Sequence, residues 1–237
     1  MNTKTTGILY GVGVGPGDPE LLTLKAHRLI AAARVVAYPA PDDGESFARA
    51  IVANVIPEGA REIPIVIPMR DARFPAQAVY DASAAEIAEC LASGQDVVVL
   101  CEGDPFFYGS FMYLFARLAG RFSVEVVPGV SSLGAVTAAA RRPLVARAEA
   151  LAVLPATLPV EDLEARLGTA EAAAIMKLGR NFPAVRELLT RMGLAERAIF
   201  VSHASLPGQI VCPLVEAPAV APYFAMVLVP GQDAHVL

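Results

Sequence analysis

Two acids, two glycines, a proline and three aromatics fill "EGDPFFYGS" (102–110), directly after the apolar run "DVVVLC" (96–101). Glu102 and Asp104 can accept hydrogen bonds from hydroxyl or ammonium groups. Gly103 lets a ligand approach the main chain, and Pro105 stiffens the turn. Phe106, Phe107 and Tyr108 can supply a flat apolar wall. The plainer alternative is an aromatic loop closing over the core, which would not need two carboxylates beside it.

A second glycine-rich stretch, "GVGVGPGD" (11–18), invites comparison with a dinucleotide-binding turn, but its spacing fails. Gly11, Gly13, Gly15 and Gly17 alternate, and Pro16 has no N–H to offer a phosphate. Asp18 at a helix start would repel an anion where the helix dipole otherwise attracts one. No Lys follows in the position of a triphosphate-binding loop. What remains is a tight turn with an Asp cap, or a turn that brings a ligand to the backbone.

Three further turns carry polar side chains. "VPGVSS" (127–132) offers Ser131 and Ser132, either as helix caps or as ligand contacts. "IMKLGRN" (175–181) puts Lys177 and Arg180 after Met176, as a solvated basic turn or as cations facing an anionic substrate. "SHASLPGQ" (202–209) contains His203, read as structural rather than catalytic.

The elements that position these turns alternate short apolar runs with helical stretches, the pattern of βα units on a largely parallel sheet. Strands are expected at 8–14, 34–38, 62–68, 96–101 and 120–129. Asp18 and Pro19 suit a helix start, with Leu22, Ala26, Leu29 and Ala33 on one face. Further helices are expected over 77–92, with Gly94 as a cap, over 109–118, and over 130–141. Beyond residue 145 five strand-like runs interleave with two helices, 160–167 and 183–192, which predicts a mixed sheet. The expected fold class is α/β with two α/β domains, 1–121 and 122–237, and no Gly/Ser linker marks the boundary.

Composition narrows the function classes. The chain has 237 residues, 55% of them hydrophobic, yet no apolar run approaches the roughly 20 residues of a spanning helix. The start, "MNTKTTGILYGVGVG", lacks the features of a signal peptide. The expectation is a cytoplasmic protein without membrane association. A net charge of −5 with no basic tract argues against a nucleic-acid partner. Cys90, Cys101 and Cys212 are odd in number and widely spaced, and His27, His203 and His235 are scattered, so neither disulfides nor a metal site is expected.

In order and spacing, "GVGPGDPELLTLKA", "EGDPFFYGS", "PGVSS" and "MKLGRN" together resemble the tetrapyrrole (precorrin) methyltransferase family, over nearly the whole chain. Within it, "CEGDPFFYGSFMYL" and "MKLGRNFPAVRELL" look most like the branch that methylates precorrin-2 at C-20. The chain lacks the "SDAGTP"-like motif of the relatives that methylate ribosomal RNA, and nothing points to the branch that modifies an elongation factor.

The resemblance implies S-adenosyl-L-methionine as cofactor, S-adenosyl-L-homocysteine as its product, and a cofactor cleft between two domains. Carried over position by position, it implies cofactor contacts at Pro16, Glu102, Gly103, Asp104, Phe107, Ser131, Ser132, Met176 and Ala204. At Ala204 other members often carry a glycine or another small residue. It further implies an anionic tetrapyrrole substrate, precorrin-3A as product, no metal of the protein's own, and a homodimer. Asp18, Tyr108, Lys177 and Arg180 are the substrate-binding candidates, with Arg141 and Arg142 as further cations for its acetates and propionates. The group that takes the proton from the methylated carbon stays open among Glu102, Asp104, Tyr108 and Asp18. Other readings are the cobalt complex of the same substrate, another precorrin methylation, a non-catalytic adenosyl-binding module, and an NAD-dependent dehydrogenase.

Overall fold

The computed structural model describes residues 6–67 and 76–233. The last residue of the strand expected at 62–68, and His235, lie outside the described residues. The chain divides into two compact units, Met1–Ser131 and Ser132–Leu237.

The first unit holds a wholly parallel five-stranded sheet in the order β3-β2-β4-β1-β5, built from β1 (Leu9–Gly13), β2 (Val35–Pro41), β3 (Arg61–Ile67), β4 (Val97–Cys101) and β5 (Val124–Val127). Every residue of β4 is buried, as its unbroken Val/Leu content requires of a strand covered on both faces. On one face Leu9, Val97 and Val99 pack with Ile87 and Leu91 of α3 (Ala76–Ala92) and with Phe111 and Leu114 of α4 (Phe111–Leu118). On the other, Val12, Val98 and Leu100 pack with Ala26 and Ile30 of α1 (Leu24–Ala31) and with Ala48 and Ile51 of α2 (Phe47–Ile51).

Two expectations change here. The helix after Asp18 does not run on. Asp18 accepts from the Glu20 N–H at 2.8 Å and caps only one 3-10 turn, Pro19–Leu21. Leu22 is then extended, and Thr23 caps α1 afresh by accepting from the Ala26 N–H. Leu22, Ala26, Leu29 and Ala33 still pack into one cluster, because an extended residue beside a helix can bury the same face. The boundary also moves. β5 pairs with β1 from Leu9↔Val124 to Val12↔Val127, so this segment belongs to the first unit, and that unit ends at Ser131 rather than Arg121.

The second unit has a mixed sheet in the order β6-β7-β10-β8-β9: β6 (Leu151–Pro155), β7 (Ala172–Met176), β8 (Ile199–Ser202), β9 (Ile210–Pro213) and β10 (Ala225–Val229). β6 and β7 are parallel, while β10 runs antiparallel to β7 and β8, and β9 to β8. One face carries α6 (Val160–Leu167) and α7 (Phe182–Arg191), through Leu163, Phe182 and Leu188. The other carries α5 (Ser132–Ala140), whose Ala135 and Val136 meet Ala172, Ala174, Val201 and Ala204.

Candidate active site

Strand order places the three glycine turns of the first unit side by side, since β4, β1 and β5 are neighbours. β1 and β4 also send the chain to opposite faces, toward α1 and toward α4. In a parallel sheet the carboxyl ends of such a strand pair mark the place where ligands bind.

Main-chain contacts knit the turns together. Gly15 N–H donates to the Gly103 carbonyl at 3.2 Å, and Gly103 N–H to the Gly15 carbonyl at 2.8 Å. A Cβ on Gly13 would stand 2.5 Å from the Gly103 oxygen and 2.6 Å from the Gly129 nitrogen. One on Gly129 would stand 2.0 Å from that same oxygen. Glycine is needed at 13 and 129 for close approach of backbones, a role the alternating pattern does not announce. Gly15 and Gly103 have φ of +80° and +62°, the left-handed region that glycine enters without strain.

Asp104 ties the second turn to the third. Its Oδ1 accepts from the Phe106 and Phe107 N–H groups at 2.9 and 3.0 Å, and its Oδ2 accepts from Gly129 N–H at 3.1 Å. The carboxylate expected to meet a ligand therefore spends three acceptor sites on the main chain.

Glu102 is placed differently. It is half-buried, and among the described residues its carboxylate has no hydrogen-bonded or ion-paired partner. Burial raises its pKa above the ordinary glutamate value. Beside it, burial first, and then the charges of Glu102 and Asp104, push the Cys101 thiol up.

The three aromatics do not form one wall. Phe106 is 47% exposed and turns to α4, with its ring centroid 5.9 Å from that of Phe111 and 5.2 Å, edge-on, from that of Phe115. Phe107 and Tyr108 make a separate edge-on pair at 5.4 Å. Tyr108 holds a φ of +57°, a strained backbone at a loop tip. Pro16 and Asp18 are half-buried in the first turn, and Ser131 is half-buried just before α5.

In the second unit Ser132 opens α5 and is half-buried. Met176 at the end of β7 and Ala204 after β8 share the sheet face covered by α5. Both strand ends turn sharply: Lys177, His203 and Ser205 have φ of +56°, +51° and +65°. His203 N–H donates to the Phe224 carbonyl at 2.8 Å, and Ser205 N–H to Gln209 Oε1 at 3.0 Å, which fixes this turn. Lys177, Arg180 and Arg141 are exposed, and Arg142 is half-buried. Among the described residues no group of three His, Cys, Asp or Glu side chains is arranged to hold a metal, and no helix is long and apolar enough to cross a membrane.

The family model of the tetrapyrrole (corrin/porphyrin) methylases matches residues 8–217. The chain belongs to this family. The methylase is 42% identical to a precorrin-2 C(20)-methyltransferase of Sinorhizobium sp. over 240 residues, 98% of each chain. It is 45% identical to the cobalamin biosynthesis protein CobIJ of Mycobacterium tuberculosis over 98% of its own length and 47% of that protein's, so it spans about half of this relative. Among solved structures it resembles a uroporphyrin-III C-methyltransferase of Thermus thermophilus complexed with S-adenyl homocysteine. There the identity is 27%, the TM-score 0.69, and the coverage 98% of this chain and 100% of the other. The sheet orders and the turn assembly described above are thus those of a tetrapyrrole methylase.

Proposed function

We propose that the chain transfers the methyl group of S-adenosyl-L-methionine to C-20 of precorrin-2, giving precorrin-3A and S-adenosyl-L-homocysteine in corrin biosynthesis. The observation that carries this reading is the similarity to the Sinorhizobium precorrin-2 C(20)-methyltransferase along the full length of both chains. The residues at the strand ends fit such a donor. Glu102 supplies a half-buried carboxylate, Asp18 a second, and Pro16 removes an N–H from the first turn. That set repels a polyphosphate and suits a cationic sulfonium nucleoside.

A sulfonium methyl is already activated for transfer. The chain therefore has to align donor and acceptor and to exclude water, and alignment of this kind lowers a barrier by about 7–11 kcal/mol. The cofactor contacts are Pro16, Glu102, Gly103, Asp104 (through the turn it holds), Phe107, Ser131, Ser132, Met176 and Ala204. Tyr108 and Asp18 flank the substrate. Lys177 and Arg180, with Arg141 and Arg142, meet its carboxylates. The protein works as a cytoplasmic homodimer and needs no metal of its own.

The test is incubation of purified protein with methyl-labelled donor and either precorrin-2 or its cobalt complex. A single added methyl located at C-20 by NMR supports the reading. Methylation elsewhere, or donor binding without turnover on either substrate, overturns it. Replacing Lys177 and Arg180 together by Ala is expected to raise the substrate KM by about tenfold or more with little change in kcat.

A further inference from the structure

Four side chains at the ends of β1 and β4 could take a proton: Asp18, Glu102, Asp104 and Tyr108. Three are set aside by what surrounds them. Asp18 caps the Glu20 N–H at 2.8 Å. Asp104 accepts three backbone N–H groups, and protonating it would disconnect the second turn from the third. The Tyr108 phenol must shed its own proton before it can take another, and it sits 42% exposed. Glu102 alone of these three carboxylates and one phenol is half-buried with no hydrogen-bonded or ion-paired partner among the described residues. It also adjoins the Gly15–Gly103 bridge, at the point where β1 and β4 diverge.

We propose that Glu102 is the catalytic base that removes the proton from the carbon receiving the methyl group. This inference rests on the C-methylation reading above. As the new C–CH3 bond forms, the S–CH3 bond breaks and sulfur keeps its electron pair, leaving the macrocycle with one positive charge and the methylated carbon still bearing its hydrogen. That C–H bond then breaks. Its electron pair returns to the macrocycle, neutralising it, and the proton passes to the Glu102 carboxylate, which afterwards releases it to water. Burial supports the assignment: it destabilises the charged carboxylate and so strengthens it as an acceptor. Asp104 and Cys101 are the nearest titratable groups along the chain. The first is held by its hydrogen bonds, and the second, a buried thiol with a raised pKa, stays protonated.

The test compares wild-type protein with Glu102→Gln and Glu102→Asp, with three readouts: calorimetric binding of S-adenosyl-L-homocysteine, methyl transfer to precorrin-2 across pH, and the rate with substrate deuterated at the accepting carbon. The expected result for Glu102→Gln is turnover at saturating donor lower by about 10²–10⁴-fold, far beyond any weakening of homocysteine-form binding read by calorimetry, with loss of the acid limb of the pH profile and a primary isotope effect larger than in wild type. Glu102→Asp is expected to recover part of the rate and the acid limb. Wild-type turnover in Glu102→Gln overturns the proposal, as does a loss of rate with an unchanged isotope effect and pH limb. A wild-type protein that adds no methyl to a carbon of the macrocycle overturns the C-methylation reading instead, and Glu102 as base with it.

Discussion

Gly15 and Gly103 exchange two backbone hydrogen bonds, of 3.2 and 2.8 Å, between turns that lie 88 residues apart in the chain. Neither residue contributes a side chain. The arrangement of the first and second turns is thus fixed by main-chain atoms, and the third joins through Gly129 and the Asp104 carboxylate.

Alanine at Gly13 or Gly129 is expected to be costly. The added Cβ would meet backbone atoms at 2.5 and 2.0 Å, and backbone cannot swing aside as a flexible side chain can. Overpacking of this kind destabilises by about 1–3 kcal/mol. Urea unfolding should register that loss for each variant, whereas Gly134→Ala, with nothing within 4 Å, should lose no stability.

Asp104→Ala removes the acceptor for three N–H groups and should cost about 1–3 kcal/mol. Asp104→Asn keeps one carbonyl oxygen for Phe106 and Phe107 but turns an amide N–H₂ toward the Gly129 N–H. It should fold with a smaller penalty yet bind the homocysteine form of the cofactor more weakly than wild type. Calorimetry and denaturation on both variants separate the two effects.

Arg49 and Glu62 form a two-pronged ion pair at 2.8 and 2.9 Å. The Arg49 hydrogen bond is the main cause of a lowered Glu62 pKa. A carboxylate whose folded pKa is depressed contributes stability above its unfolded value, roughly 4.3, and loses that contribution as pH falls through the folded one. Both side chains are partly exposed, at 40% and 29%, so the contribution is modest, about 1 kcal/mol. Arg49→Gln should therefore lower stability at pH 7, and the difference from wild type should shrink steadily as the solution is acidified below that value.

Cys90 and Cys101 are buried and Cys212 is only partly so. Burial raises the pKa of both Cys101 and Cys212, which slows thiolate chemistry at neutral pH. Brief treatment of the native protein with iodoacetamide should alkylate Cys212 slowly and leave the other two intact, while denaturant should expose all three. Peptide mass spectrometry reads each site separately.

Much of the fold was legible because its signals were local. "VVVLC" could only be a strand covered on both faces, and the helices at 77–92 and 160–167 are found at Ala76–Ala92 and Val160–Leu167. The missed features depend on distant partners or on competition between caps. The helix expected from Asp18 breaks because Thr23, five positions further on, offers a second cap. The unit boundary was misplaced because β5 is held by hydrogen bonds to β1, more than 100 residues earlier. Asp104 looked like a ligand acceptor by type, yet an Asp followed by a proline and two further residues is also a turn in which the side chain binds its own backbone. Its link to Gly129 had no local signal.

The knot of turns at Gly13, Gly15, Gly103 and Gly129 has a bearing on redesign. A platform locked through main-chain atoms tolerates exchange of the side chains projecting from it, since these carry little of its rigidity. Efforts to alter ligand choice should accordingly diversify Phe107, Tyr108 and Ser131 while leaving the four glycines and Asp104 untouched, and libraries built that way should retain a far larger folded fraction than those that randomise whole loops.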